Sequence, residues 1–271
     1  MFTGVLTAVI AGYIVLVGII YVGQRSLMYH PGGPIGPPEA YGVGEMAKLS
    51  LKNNAGHTLI SWYAAPKLDQ PVLVFFHGNA GTIGDRAKKI RPYLNAGFGV
   101  ILAGYRGFGG NPGSPSETGL YNDAATILTH LRAIGIPPER WVLYGESLGA
   151  GVATEMAHRY AVSSMSVGAL VLEAPFTSMG DAAAVHYPYI PTRILVRDKY
   201  DSIAKIDAID TPLMIVHGAA DRTVPQNLGR RLFDAAKKPK SSLWLDKPGH
   251  NDLYDFGAAP HIISFARLNL S

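Results

Sequence analysis

The chain opens on one long apolar stretch and then changes rhythm. From Phe2 to Val22 no side chain is charged. A helix of about 20 residues spans roughly 30 Å, the thickness of a bilayer's hydrocarbon core. Tyr21 and Arg25 sit where an interfacial anchor belongs. Residues 1–24 therefore read as a transmembrane helix. A cleaved signal peptide would need a charged leading region, a shorter core and a small-x-small cleavage site; neither the charge nor a convincing site is present, so an uncleaved anchor is expected. Gly4, Ala8 and Gly12 fall four apart, which is ordinary composition for such a helix rather than a packing face. Arg25, just past the stretch, favours placing the rest of the chain on the cytoplasmic side.

Residues 25–44 are rich in Pro and Gly and read as an irregular connector. Beyond them, short apolar runs alternate with helical patterns. Ala47–Leu51 and His57–Ala65 form an entry hairpin around the turn Asn53-Asn54-Ala55-Gly56. Pro71–Phe76, Gly97–Tyr105, Trp141–Tyr144, Ala169–Glu173 and Leu213–His217 are apolar almost throughout, as strands covered on both faces must be. Ser242–Leu245 supplies the last strand, and helices are expected around Asp85–Leu94, Glu117–Ile134, Leu148–Tyr160, Pro225–Lys238 and Asp252–Ala266. Strands alternating with helices imply an α/β class, a mostly parallel, eight-stranded, doubly wound sheet over residues 45–271.

Composition narrows the partners. The chain has 271 residues, 48% of them hydrophobic and only 16% charged, enough apolar material for one large core plus an anchor. The net charge of +4 does not point to nucleic acid, because Lys and Arg are dispersed and no basic stripe with interleaved aromatics occurs. A mild positive balance instead suits a protein lying against anionic membrane lipids. There is no cysteine, which excludes disulfides, a thiol nucleophile and thiolate-bound metal. Histidines lack the H-x-x-x-H or H-E-x-x-H spacing of metal ligands, so no metal and no cofactor is expected.

Candidate chemistry centres on Gly145-Glu146-Ser147-Leu148-Gly149. An apolar strand precedes it and a small-residue, helix-tolerant run follows, which is the strand–turn–helix context of a G-x-S-x-G nucleophile elbow. Such a turn strains the serine backbone and lifts its hydroxyl above the sheet, and its flanks must be glycine to avoid clashes. A free serine hydroxyl is a poor nucleophile, so it needs a neutral imidazole as base and a carboxylate to orient that imidazole. Asp221, just past the strand ending at His217, and His250, in the loop after the last strand, supply both in the chain order Ser, Asp, His. The peptide N–H of Leu148 and that of Asn79, in Phe76-His77-Gly78-Asn79-Ala80-Gly81, are the candidate oxyanion donors. Asp198, Asp201 and Glu173 compete for the acid role but follow no strand so cleanly; His77 and His217 read as structural. The glycines of Arg106–Gly113 lack the spacing of a phosphate loop and read as turns.

Together these residues resemble the α/β-hydrolase superfamily, and within it the membrane-anchored, single-domain branch that includes acylglycerol and lysophospholipid lipases and protein depalmitoylases. The likeness rests on Arg25-Ser26-Leu27-Met28-Tyr29-His30-Pro31, His77-Gly78-Asn79-Ala80-Gly81, Tyr105-Arg106-Gly107-Phe108-Gly109, Pro115-Ser116-Glu117, the elbow, Ala174-Pro175-Phe176-Thr177-Ser178, and His217-Gly218-Ala219-Ala220-Asp221-Arg222-Thr223-Val224-Pro225. Gly104 departs from the Asp or Asn common in such proteins, which implies looser local hydrogen bonding. The resemblance implies a short cap over 177–211, with Phe176, Tyr187 and Val224 as candidate lining of an acyl pocket. It implies hydrolysis of lipid-like acyl esters, of monoacylglycerol or lysophospholipid type, through an acyl-enzyme. A thioesterase acting on acylated membrane proteins and a non-catalytic scaffold on the same fold remain the alternatives.

Overall fold

A computed structural model describes residues 2–270. It begins with α1 (Phe2–Met28), which runs four residues past the end expected from hydropathy. Its most apolar stretch has a mean hydropathy of 2.6 and is unburied, so it is a candidate membrane span rather than a core helix. The connector is less irregular than its composition implies. His30–Pro31 (β1) pairs with Ala80–Gly81, and Pro38–Tyr41 forms a 3₁₀ turn. Composition could not show that pairing, because a two-residue strand carries no periodicity.

The body alternates strands and helices: β2 (Ala47–Lys52), β3 (Thr58–Ala64), β4 (Val72–Phe76), the short β5 (Ala80–Gly81), α2 (Ala87–Asn95), β6 (Gly99–Leu102), α3 (Glu117–Ala133), β7 (Trp141–Glu146), α4 (Leu148–Val162), β8 (Ala169–Glu173), α5 (Met179–His186), α6 (Thr192–Leu195), β9 (Leu213–Gly218), α7 (Gln226–Ala235), β10 (Lys240–Leu245) and α8 (Ala258–Asn269). Eight strands form one sheet in the order β10-β9-β8-β7-β4-β6-β3-β2. The β2–β3 and β3–β6 pairs are antiparallel and the remaining pairs parallel. The strand expected over Gly97–Tyr105 is shorter because the chain leaves the sheet after Leu102, and the last helix is split from its 3₁₀ lead-in by Gly257 at φ +84°.

Strand alternation builds two cores from one run. Val72, Val74 and Phe76 of β4 face α3 and α4, whereas Leu73 and Phe75 face α2 and α8, and all five are fully buried. After β4 the chain crosses to β6 on one side of it, then returns to β7 on the other. The loops after β4 and β7 therefore part above one crevice, where such sheets bind ligands.

Gly104 is not a loosened position. Its N–H donates to Ser61 Oγ at 2.9 Å, and a Cβ there would lie 1.8 Å from the Ile60 carbonyl oxygen. Glycine is the residue that lets the loop after β6 press on β3.

Candidate active site

Ser147 sits between β7 and α4 with φ 52° and ψ −115°, a conformation strongly disfavoured for a residue with a side chain. The turn is held from both sides: Ser147 N–H donates to the Glu173 carbonyl at 2.9 Å, and Ala150 N–H donates to the Ser147 carbonyl at 2.8 Å. The flanking glycines are required by space. A Cβ on Gly145 would lie 2.4 Å from Gly149 O, and one on Gly149 would lie 2.0 Å from Phe76 O. Both obstacles are backbone and cannot rotate away. Gly149→Ala is therefore expected to cost about 3 kcal/mol or more, the upper end of overpacking penalties. For a domain of this size that lowers Tm by roughly 6 °C or more, read by thermal unfolding.

The three expected polar groups meet. Nε2 of His250 lies 2.9 Å from Ser147 Oγ, and Nδ1 lies 2.7 Å from Asp221 Oδ2. The carboxylate beside Nδ1 fixes the proton there, which leaves Nε2 free to accept the serine hydroxyl. Asp221 is itself well supplied with donors. Its Oδ1 accepts the N–H groups of Thr223 and Val224 at 2.9 and 2.8 Å. His217 adds another contact, its Nε2 3.3 Å from Asp221 Oδ2 while it donates to the Val224 carbonyl at 2.8 Å. Burial pushes the Asp221 carboxyl up, but the hydrogen bonds from His217, His250 and the Val224 N–H outweigh it and hold the group well below the usual carboxylate range. It is ionised at neutral pH.

The Leu148 N–H opens α4, so it has no helical partner, and neither it nor the Asn79 N–H meets another backbone or side-chain acceptor among the described residues. Both residues border the same cleft as Ser147. Asn79 is clamped: its side-chain amide donates to Met28 O at 2.8 Å, and its carbonyl accepts His30 N–H at 2.8 Å. The segment Met28–Gly32, noted in the sequence only as part of a resemblance, thus positions the candidate oxyanion loop.

The other acids are committed elsewhere. Asp198 forms a fork with Arg25 at 2.8 and 2.9 Å, Asp201 caps the Ala204 N–H, and Glu173 pairs with Lys89 at 2.8 Å and with the Tyr144 hydroxyl. His77 lies against Tyr105 and Phe108, and burial pushes its pKa down to about 3, so it stays neutral. Sequence reasoning gave no role to Glu146 within the elbow. It is buried and takes Arg86 and Lys89, each at 2.7 Å. Burial alone would raise its pKa; the two cations hold it below the usual range. This network ties α2 to the strand ends carrying the serine. A glutamate at the end of an otherwise uncharged, largely apolar strand was the available signal.

Above Ser147 opens a cleft of about 370 Å³. Phe176, Tyr187 and Val224 border it, with Met179 and Ala182 from the cap. The opposite wall was not anticipated: Ile20, Gln24, Leu27 and Met28 of α1. Gln24 bonds the cap at the Arg197 N–H (2.7 Å), which fixes α1 against it.

Comparison with known proteins agrees with this architecture. The α/β-hydrolase fold model matches residues 71–193. An uncharacterized Mycobacterium tuberculosis protein is 37% identical over 242 residues, covering 88% of this chain and 84% of that protein. This chain belongs to the α/β-hydrolase family. The lysophosphatidylserine lipase ABHD12 of Danio rerio is 34% identical over 196 residues, covering 65% of this hydrolase but 51% of its own length. Among solved structures, an alpha-beta hydrolase from Vibrio vulnificus superposes with a TM-score of 0.70 at 26% identity, covering 82% of this chain and 81% of that one. The relative named for an activity is a lipase, and this chain shares the α/β-hydrolase fold.

Proposed function

We propose that this hydrolase is a membrane-anchored serine esterase that cleaves single-chain, lipid-like acyl esters through an acyl-enzyme. The observation that carries the reading is the continuous contact Ser147 Oγ–His250–Asp221, at 2.9 and 2.7 Å, opening on an apolar cleft. Ser147 Oγ attacks the ester carbonyl as its proton passes to His250 Nε2. The new C–O bond creates an oxyanion, which the Asn79 and Leu148 N–H groups receive. Collapse breaks the bond to the alcohol, which leaves with the proton from His250. Water, activated by the same imidazole, then releases the fatty acid and restores the serine hydroxyl. Asp221 holds the imidazole in its productive tautomer throughout.

The cleft is near the lower end of the roughly 300–1,000 Å³ range of small-molecule sites, which fits one acyl chain better than two. That favours monoacylglycerol or lysophospholipid types. Residues 1–24 serve as the anchor, 25–44 as the connector and 45–271 as the catalytic domain, with the cap at 177–211 and the catalytic side facing the cytoplasm. The test is an active-site fluorophosphonate probe on the full chain. Stoichiometric labelling at Ser147, blocked by prior denaturation, is the expected result. Folded protein that takes up no label overturns the serine mechanism.

A further inference from the structure

Helix α1 and the cap share one apolar surface that reaches far along the helix axis. Tyr13 Oη donates to the carbonyl of Tyr189, which lies in the turn between α5 and α6, at 2.7 Å. Tyr13 precedes Arg25 by more than three turns, roughly 18 Å along the axis. The hydrocarbon layer is about 30 Å thick, so with Arg25 at its edge the cap tip lies near the depth where one leaflet's chains end. The exposed side chains of the tip are mainly apolar, and Arg193 among them is paired with Asp181 at 2.5 Å. Tyr189 is 86% exposed and Ile194 80%, with Val185 and Tyr187 partly exposed beside them. At the other end of the shared surface, Arg197 sits over the Tyr21 ring at 6.0 Å and Arg25 is half-exposed, an aromatic and cationic belt suited to headgroups.

Along α1, Val17, Ile20, Gly23, Gln24 and Met28 are the partly or fully covered positions, which a three- and four-residue spacing places on one face. Three of them, Ile20, Gln24 and Met28, also wall the cleft above Ser147.

We propose that the cap tip, Val185 to Ile194, is a membrane-docking surface that inserts into the acyl-chain layer of the leaflet beside α1, and that the active-site cleft takes its substrate's chain sideways from that leaflet along the α1 wall. The occupant of this face is bilayer lipid. The face is continuous with the candidate span and is closed at its upper end by the cationic belt. The delivery half rests on the esterase reading above; the docking half does not.

The chain has no cysteine, so single-cysteine labels are unambiguous. Tyr189→Cys, Ile194→Cys and Leu68→Cys would each carry an environment-sensitive fluorophore, in the full chain reconstituted into phosphatidylcholine–phosphatidylserine vesicles. Leu68 is 89% exposed and precedes β4, at the end of the sheet opposite the cleft. Brominated acyl chains are expected to quench the labels at 189 and 194 several-fold more than at 68, and aqueous iodide to show the reverse order. Equal iodide access at all three overturns the proposal. Protection from iodide that depends on protein density, without quenching by brominated lipid, assigns the face to a second copy and also overturns it.

For delivery, Ile194→Asp is expected to slow hydrolysis of a vesicle-embedded acyl ester about tenfold, with turnover of a soluble p-nitrophenyl ester unchanged. Equal loss on both, or loss on neither, overturns delivery. A wild-type chain inactive on both esters refutes the esterase reading and with it delivery, while the quenching still decides docking.

Discussion

Ser147→Ala is expected to lower kcat on an acyl ester by roughly 10⁶-fold while leaving the protein folded. The size follows from how the three groups work as a unit. Without Oγ there is no nucleophile, and His250 Nε2, which contacts Oγ at 2.9 Å, has nothing to deprotonate except water. The Asn79 and Leu148 donors would persist and supply what residual rate remains. Alanine imposes no new backbone demand, because φ 52° is as costly for alanine as for serine. Thermal unfolding should therefore move little, which separates this variant from Gly149→Ala. The same logic predicts non-additivity: Ser147→Ala with His250→Ala should be no slower than Ser147→Ala alone. Steady-state kinetics on a p-nitrophenyl ester reads both. A single variant keeping a tenth of the activity would remove Ser147 from the chemistry.

The elbow was legible in the sequence because its backbone allows so few residues. Two glycines that abut carbonyls, a strand before and small residues after leave little freedom, and the clashes at Gly145 and Gly149 show why. Asp221 and His250 were legible for a related reason: each follows a fully apolar strand, and parallel strands bring their carboxyl ends to one edge. What stayed hidden depends on contacts between distant segments. The His30–Ala80 pairing that steadies Asn79 involves two-residue strands with no pattern to detect. Glu146, Arg86 and Lys89 each look like ordinary charged residues until α2 packs below the elbow. The second role of α1 was hidden for a different cause. Hydropathy gives lipid-facing and cleft-facing positions the same value, so Ile20 and Leu27 cannot be told from Ile19 or Val22. Gln24, the one buried residue of the helix and bonded to the cap, marks that this helix has a protein-facing side.

Asp221→Asn is expected to reduce kcat by about 10⁴-fold through the wrong imidazole tautomer rather than through unfolding. The carboxylate stands among donors: the Thr223 and Val224 N–H groups on Oδ1, and His250 Nδ1 with His217 Nε2 around Oδ2. An asparagine can turn its carbonyl oxygen to the two backbone groups. Its NH₂ then faces two ring nitrogens that had been donating. His217 stays protonated at Nε2, since the Val224 carbonyl accepts from it at 2.8 Å. The strain is therefore relieved at His250, which moves its proton to Nε2 and accepts the amide at Nδ1. In that form Nε2 donates toward Ser147 Oγ and can no longer take its proton. Because the defect is a misplaced proton, strongly alkaline assay conditions should recover part of the rate, where hydroxide or an ionised serine bypasses the base. Ser147→Ala should show no such recovery. A pH–rate profile of both variants on one soluble ester reads the difference; an Asp221→Asn enzyme within tenfold of wild type at neutral pH would mean that another acid orients His250.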